Sequence, residues 1–138
     1  MVVGKKYWII PDCELPPEGE GVLKGHESVV IVNDSNKKAV INVKLYFVDE
    51  KAYEGITWEV EPQTVKCFRM NNVEHMCGYV VPLETQYAMK LSSSEKIVVR
   101  TKPCQSGEKT FARRFSPAWK RREGLWRCRQ RCTFGRRF

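Results

Sequence analysis

Two histidines each stand beside a glutamate, His26-Glu27 and Glu74-His75, and nowhere else in the chain do an imidazole and a carboxylate adjoin. Such pairs are the raw material of general acid/base chemistry, which requires a titratable base within hydrogen-bond reach of the proton it moves. Adjacent residues on an extended chain point to opposite faces, so neither pair is a ready couple. Two histidines supply no evident Ser/His/Asp or Cys/His arrangement, and the sequence holds no GxSxG elbow and no HExxH helix. Catalysis is not expected. A metal site drawing on His26, His75, Cys67 and Cys77 is conceivable if strands bring them together, but nothing in their spacing requires it. Cys128 and Cys132, three residues apart with no second nearby pair of ligands, make a poor zinc signature. Neither a metal nor a cofactor is predicted.

Aromatic side chains offer another route to function. Trp58, Tyr53, Tyr46 and Phe68 could form a platform on which sugars or bases stack, beside the polar partners Arg69 and Asn71. The sequence pattern itself assigns Trp58 to the apolar face of its strand, hence to the core. Tyr46 falls on the polar face and is the better candidate for an exposed or interface ring. The glycines at 19, 21 and 25 fit neither the dinucleotide nor the P-loop spacing, and no helical pattern follows them to present amides to a phosphate.

The elements that must position these residues read as short strands. In residues 39–48, Ile41, Val43, Leu45 and Phe47 alternate with Asn42, Lys44 and Tyr46, the period-two pattern of a half-buried strand. Ser28 to Asn33 is β-branched and apolar, and Ile56, Trp58 and Val60 alternate with polar residues. Tyr87, Met89 and Leu91 do the same, and Ile97 to Val99 closes the set. Turn signals separate them at intervals of about ten residues: Asn33 to Asn36, Asp49 to Lys51, Glu61-Pro62, Asn71-Asn72 and Ser92 to Ser94. Residues 11–25 hold three prolines, four acids and three glycines and read as a long surface loop of the kind that carries function. No long helical period intervenes, so a parallel sheet is not expected. The prediction is an all-β chain, a single antiparallel β-sandwich domain with a basic C-terminal extension.

Charge divides the chain in two. Residues 1–101 carry 12 basic and 14 acidic side chains, net −2, whereas residues 102–138 carry 12 basic and 2 acidic, net +10. Nine of the eleven arginines lie in the last 26 residues. The predicted domains are therefore a β-sandwich over 1–101 and an Arg-rich tail over 102–138. Arg113, Arg114, Arg121 and Arg122 would neutralise phosphates and Trp119 and Trp126 would stack on bases if the tail contacts nucleic acid. Ser116-Pro117 could open a short helix there, with Gly124 ending it. A solvated basic extension and the product of a shifted reading frame compete with that reading. No apolar run approaches the roughly 18 residues that span a bilayer, so the chain is not expected to be integral to a membrane. With no secretory signal pattern at the start and six cysteines spread along the chain, a cytoplasmic protein with free thiols is expected.

Several stretches, in order and spacing, resemble the sensory rhodopsin transducer family. They are GKKYWIIPD (Gly4 to Asp12), the loop with Pro16, Pro17 and Gly19, GHESVVIVN (Gly25 to Asn33), LYFVDE (Leu45 to Glu50), PQTVKCFRMN (Pro62 to Asn71) and SEKIVV (Ser94 to Val99). The resemblance covers about residues 4–99. It implies a β-sandwich protomer, assembly as a homotetramer, and a non-enzymatic role relaying the state of a membrane receptor or of a small ligand, a carbohydrate among the possible ones. Carried over by position, the matching residues are His26, Glu27, Asn33, Asp49, Pro62, Thr64, Arg69 and Asn71. Of these, His26, Glu27, Arg69 and Asn71, with Tyr46, are the candidate ligand or partner contacts. After Val99 the sequence departs from the family pattern and enters the basic tail. Fold transfers across such a family more safely than function does.

Overall fold

The alternating apolar residues of the sequence are gathered into six strands: β1 (Lys5–Glu14), β2 (His26–Asn33), β3 (Ala39–Phe47), β4 (Tyr53–Val60), β5 (Thr64–Arg69) and β6 (Gln86–Cys104). The structure is a computed structural model that describes residues 1–20, 22, 24–104, 119–122 and 125–128. Every pairing between these strands is antiparallel, in the order β4-β3-β6-β2-β5, with β1 also laid on β6.

The 19-residue β6 organises the sheet. Its first half pairs with β1 and with β3, from Phe47↔Tyr87 to Ile41↔Ser93, and its second half pairs with β2, from Asn33↔Ile97 to His26↔Cys104. The predicted turn at Ser92 to Ser94 is instead a corner inside one strand. Hydroxyls take over from ladder partners where β6 changes neighbours: Ser94 Oγ accepts the Val40 amide at 3.0 Å and Ser93 Oγ accepts the Glu95 amide at 3.3 Å. Strands that pass from one half of a sheet to another bend at such irregular points. The two halves thereby enclose one core, which is the antiparallel β fold that the alternation predicts.

Trp58 on β4 and Phe68 on β5 close that core. Their rings stack with centroids 4.4 Å apart and planes 6° from parallel. Around them Val29, Ile31, Ile41, Leu45, Ile56, Val60, Met89, Leu91 and Ile97 are buried. Asn33 pins the end of β2 by donating from Nδ2 to the carbonyls of Lys37 at 2.8 Å and Val60 at 3.0 Å, while its Oδ1 accepts the Ser35 amide and hydroxyl. It serves its turn through the side chain. Gly55 is the extra residue of a bulge in β4, between Val43↔Ile56 and Lys44↔Glu54, at a φ of 128°. Gly4, at φ 112°, crosses β6 where a Cβ would overlap the carbonyl of Ile97.

Two elements escape the alternation argument. β1 runs through Pro11 to Glu14, so the first part of the predicted surface loop is strand, and Cys13 and Leu15 are buried. A register shift between Ile10 and Cys13 lets Pro11, which lacks an amide proton, sit in the strand. β5 pairs with β2 although its residues alternate poorly: within Thr64–Arg69 only Phe68 is buried.

The chain divides into two compact units, Met1–Ser106 and Gly107–Phe138. In the second, β7 (Trp119–Arg122) pairs antiparallel with β8 (Leu125–Cys128). Residues 119–122 are thus strand where a short helix was predicted. Among the described residues no helix is long and apolar enough to cross a membrane.

Candidate functional site

The alternation that turns Val29 and Ile31 inward turns Glu27 inward too, and this carboxyl is only 3% exposed. It is met by Tyr87 of β6, whose hydroxyl donates to Glu27 Oε2 at 2.5 Å. The Cys13 thiol of β1 lies against the same carboxyl and also reaches the Ile10 carbonyl at 3.7 Å. Burial raises the pKa of Glu27. The hydrogen bonds from Tyr87 and Cys13 pull the other way, and the charges of Asp12 and Glu14 add to the rise. Burial, with the Glu27 and Asp12 charges behind it, pushes the Cys13 thiol up to about 12. Tyr87 is raised as well, chiefly by burial and then by Glu27. The three groups form a polar knot inside an apolar core, satisfied by its own members.

Beside this knot the chain leaves β5 through a single tight turn. Asn72 opens it: its Oδ1 accepts the amides of Glu74 at 2.9 Å and His75 at 3.3 Å. The turn ends on Cys77 and Gly78, both at positive φ, with Gly78 N–H donating to the Val73 carbonyl and Cys77 N–H to the Glu74 carbonyl. His75 ties it to the core. Its carbonyl accepts the Trp58 indole N–H at 2.6 Å, and its Nδ1 accepts the Arg69 amide at 2.9 Å.

Between this segment and the loop that follows β1 lies a cleft of about 220 Å³. Buried Leu15 and Met70 are among its lining residues, Val73, Tyr79, Val80, Val81 and Leu83 add apolar surface, and Glu18 and Asn71 supply the polar groups. Both floor residues are tied to the polar knot. Leu15 follows Cys13 by two positions and its carbonyl accepts the Glu84 amide, while the Met70 amide donates to the Glu27 carbonyl at 2.9 Å. An apolar cleft with a few convergent polar groups is the usual form of a small-molecule or side-chain binding site.

The predicted contact residues do not share one site. Asn71 lines the cleft and accepts from Arg69 Nε at 3.3 Å, so Arg69 stands behind it. Glu27 does not line the cleft: its carboxyl is buried and its backbone carbonyl accepts the Met70 amide. His26 opens β2 with its ring directed to the Lys24 carbonyl, 2.8 Å from Nδ1. Tyr46 is on the outer face of β3 with the Lys44 ammonium 5.4 Å from its ring centre. The aromatic platform does not form, because Trp58 and Phe68 stack on each other in the core and Tyr53 stacks on Tyr79 at 3.8 Å. The residues weighed for a metal are not gathered into one cluster among the described residues: Cys77 Sγ donates to the Thr57 carbonyl, His75 holds its turn, His26 is directed to Lys24, and Cys67 is exposed on β5. Cys13, Cys67, Cys77 and Cys104 are free thiols. Of the nucleic-acid candidates, Trp119, Arg121, Arg122 and Trp126 belong to β7 and β8, and Arg113 and Arg114 lie outside the described residues.

The sequence patterns missed Cys13 and Tyr87 as partners of Glu27. The signal was present, since Tyr87 opens an inward alternation with Met89 and Leu91. Of the cleft lining, the sequence pointed to Asn71 and to the 11–25 loop that supplies Leu15, Glu18 and Gly25, but not to residues 73–83, for the cleft is assembled from two irregular segments.

The family profile described as Anabaena sensory rhodopsin transducer matches residues 3–119. This match continues past Val99, where the motifs cease to resemble the family. Among solved structures, the Anabaena sensory rhodopsin transducer superposes with a TM-score of 0.63 at 24% identity, over 74% of this chain and 91% of that one. The Thermotoga maritima protein 1070 superposes with a TM-score of 0.67 at 24% identity, over 76% of this chain and 84% of that one. At that identity the two structures establish the fold. No curated protein sequence matches at a significant level.

Proposed function

This chain belongs to the Anabaena sensory rhodopsin transducer family, and from that membership we propose that it is a non-enzymatic signalling protein. It relays the state of a membrane receptor, or of a small ligand, through a homo-oligomer whose expected size is a tetramer. Its expected compartment is the cytoplasm.

The observation that carries this reading is the cleft, because of what its floor rests on. Leu15 continues from β1, and Met70, which follows β5, donates its amide to the carbonyl of Glu27 on β2, the residue around which β1, β2 and β6 meet. A side chain or small molecule entering the cleft would press on the ends of those strands, which is how a binding event at one end of a sheet becomes a change in its edges. Asn71 and Glu18 would orient the occupant, with Arg69 positioning Asn71. His26 and Tyr46 stand outside the cleft and are proposed as contacts between subunits or with the receptor. The nucleic-acid alternative rests on the tail alone, and the carbohydrate alternative loses its stacking platform to the core.

The test is a titration of the full chain into a sensory rhodopsin held in lipid nanodiscs, in the dark and under illumination. A light-dependent difference in affinity supports the reading. Absence of binding in both states overturns its receptor branch.

A further inference from the structure

We propose that the outer face of β5-β2-β6 is a docking surface for an anionic lipid bilayer. The register places the side chains of this face in rows across three strands. Val65, Val32 and Val98 form one row, Cys67, Val30 and Arg100 the next, and Arg69, Ser28 and Lys102 the third. Phe68, Val29, Ile31 and Ile97 occupy the opposite parity and are buried, which puts these rows on the outer face, where Val32, Val65, Val98, Cys67, Arg100 and Lys102 are exposed, Val30 and Arg69 half-buried and Ser28 buried. No acidic residue stands at an outward position of these paired stretches, and among the described residues none of Arg69, Arg100 and Lys102 forms an ion pair. All three valines of the first row are exposed, Val65 at 62%.

The chemistry of the face selects its partner. Its three cations, none of them ion-paired among the described residues, make it complementary to an anionic surface, and each Lys or Arg near such a membrane raises its affinity by roughly fivefold. The adjoining valine row adds apolar area that can settle at headgroup level, which a phosphate backbone would leave unused. The face carries no exposed aromatic for stacking on bases. It is a ladder of paired strands rather than a groove, which suits a bilayer better than an acidic peptide. Docking here would hold the protein at the surface where a membrane receptor presents itself. It deepens the transducer reading and rests on that reading for its purpose.

The basic tail will bind the same vesicles, so the experiment must read the face and not total binding. Full-length chains that keep a single cysteine, at Cys67 on the face or at Cys77 away from it, are labelled with an environment-sensitive fluorophore. They are mixed with phosphatidylcholine vesicles containing or lacking phosphatidylglycerol. The expected result is a blue shift at Cys67 on the anionic vesicles alone, with Cys77 unchanged. The double variant R100Q/K102Q should shift the Cys67 titration to at least tenfold higher lipid. A label at Val65→Cys repeats the reading should labelling of Cys67 disturb β5. A Cys67 label that stays aqueous while the protein sediments with the vesicles would overturn the proposal. So would a Cys67 response to polyglutamate or to short duplex DNA with none to vesicles. The vesicles contain no receptor, so failure here leaves the receptor titration standing on its own.

Discussion

The Tyr87 hydroxyl donates to the Glu27 carboxyl at 2.5 Å inside the core, at the point where β1, β2 and β6 meet. This bond satisfies a carboxyl that burial would otherwise leave without water or a counter-ion, and burial still raises its pKa. The sign of the consequence follows from linkage. A carboxyl whose folded pKa lies above its unfolded value favours folding while protonated. That contribution is full below the ordinary carboxyl range and is lost as pH rises through the raised folded pKa. The Tm of the wild type should therefore fall relative to that of Glu27→Gln as pH is raised from about 4 to 8. Thermal melts of both chains across that range check it, and parallel curves would refute it.

Tyr87→Phe removes the donor and leaves the carboxyl. Loss of the partner of a buried polar group costs about 1–3 kcal/mol, more for a charged one. Chemical denaturation at pH 7 should show a loss of that size in Tyr87→Phe. The loss should shrink when Glu27→Gln is present, because the two substitutions act on one interaction.

The Cys13 thiol, 1% exposed and pushed up to about 12, stays protonated at ordinary pH, whereas Cys67 and Cys77 are exposed. Iodoacetamide at pH 8 followed by peptide mass mapping should modify Cys67 and Cys77 in the folded protein and spare Cys13. Urea should abolish the difference. Fast labelling of Cys13 in the folded chain would mean that the polar knot opens readily.

The Trp58–Phe68 stack joins strands that do not pair with each other, so it should be worth more than its area. Phe68→Ala should cost about 3–5 kcal/mol, the range for a large buried aromatic. Trp58→Phe keeps a ring but strands the His75 carbonyl, for about 1–3 kcal/mol. Shifts in the denaturant midpoint at unchanged slope measure both.

How much of this was legible depended on whether a residue's role is local. Alternation in β3, β4 and the first half of β6 gave their faces correctly, because burial of one face imposes period two. Trp58 was assigned to the core on that ground, and it lies there. The serines at 92 to 94 misled, since small polar residues mark both turns and the corner of a bent strand. β1 and β5 show weak alternation: β1 exposes much of its length, and β5 buries a single ring. Glu27 drew notice only as the neighbour of His26 and as a match to the family pattern, although its parity with Val29 already placed it inside. The cleft depends on a tertiary meeting of the post-β1 loop with residues 70–83, and no spacing in the sequence encodes that.

In the proposed function the cleft is where the protein meets what it senses. Val80 lines it but is 71% exposed, so Val80→Trp would fill the cleft without entering the core. Its Tm should stay within a few degrees of the wild type, since exposed substitutions are usually worth about 0.5 kcal/mol or less. The decisive measurement is the dark and light titration against nanodisc-held sensory rhodopsin with wild type and Val80→Trp side by side. Light-dependent binding by the wild type and at least tenfold weaker binding by the folded variant are expected. Equal affinity of the two chains in both light states would contradict this role of the cleft.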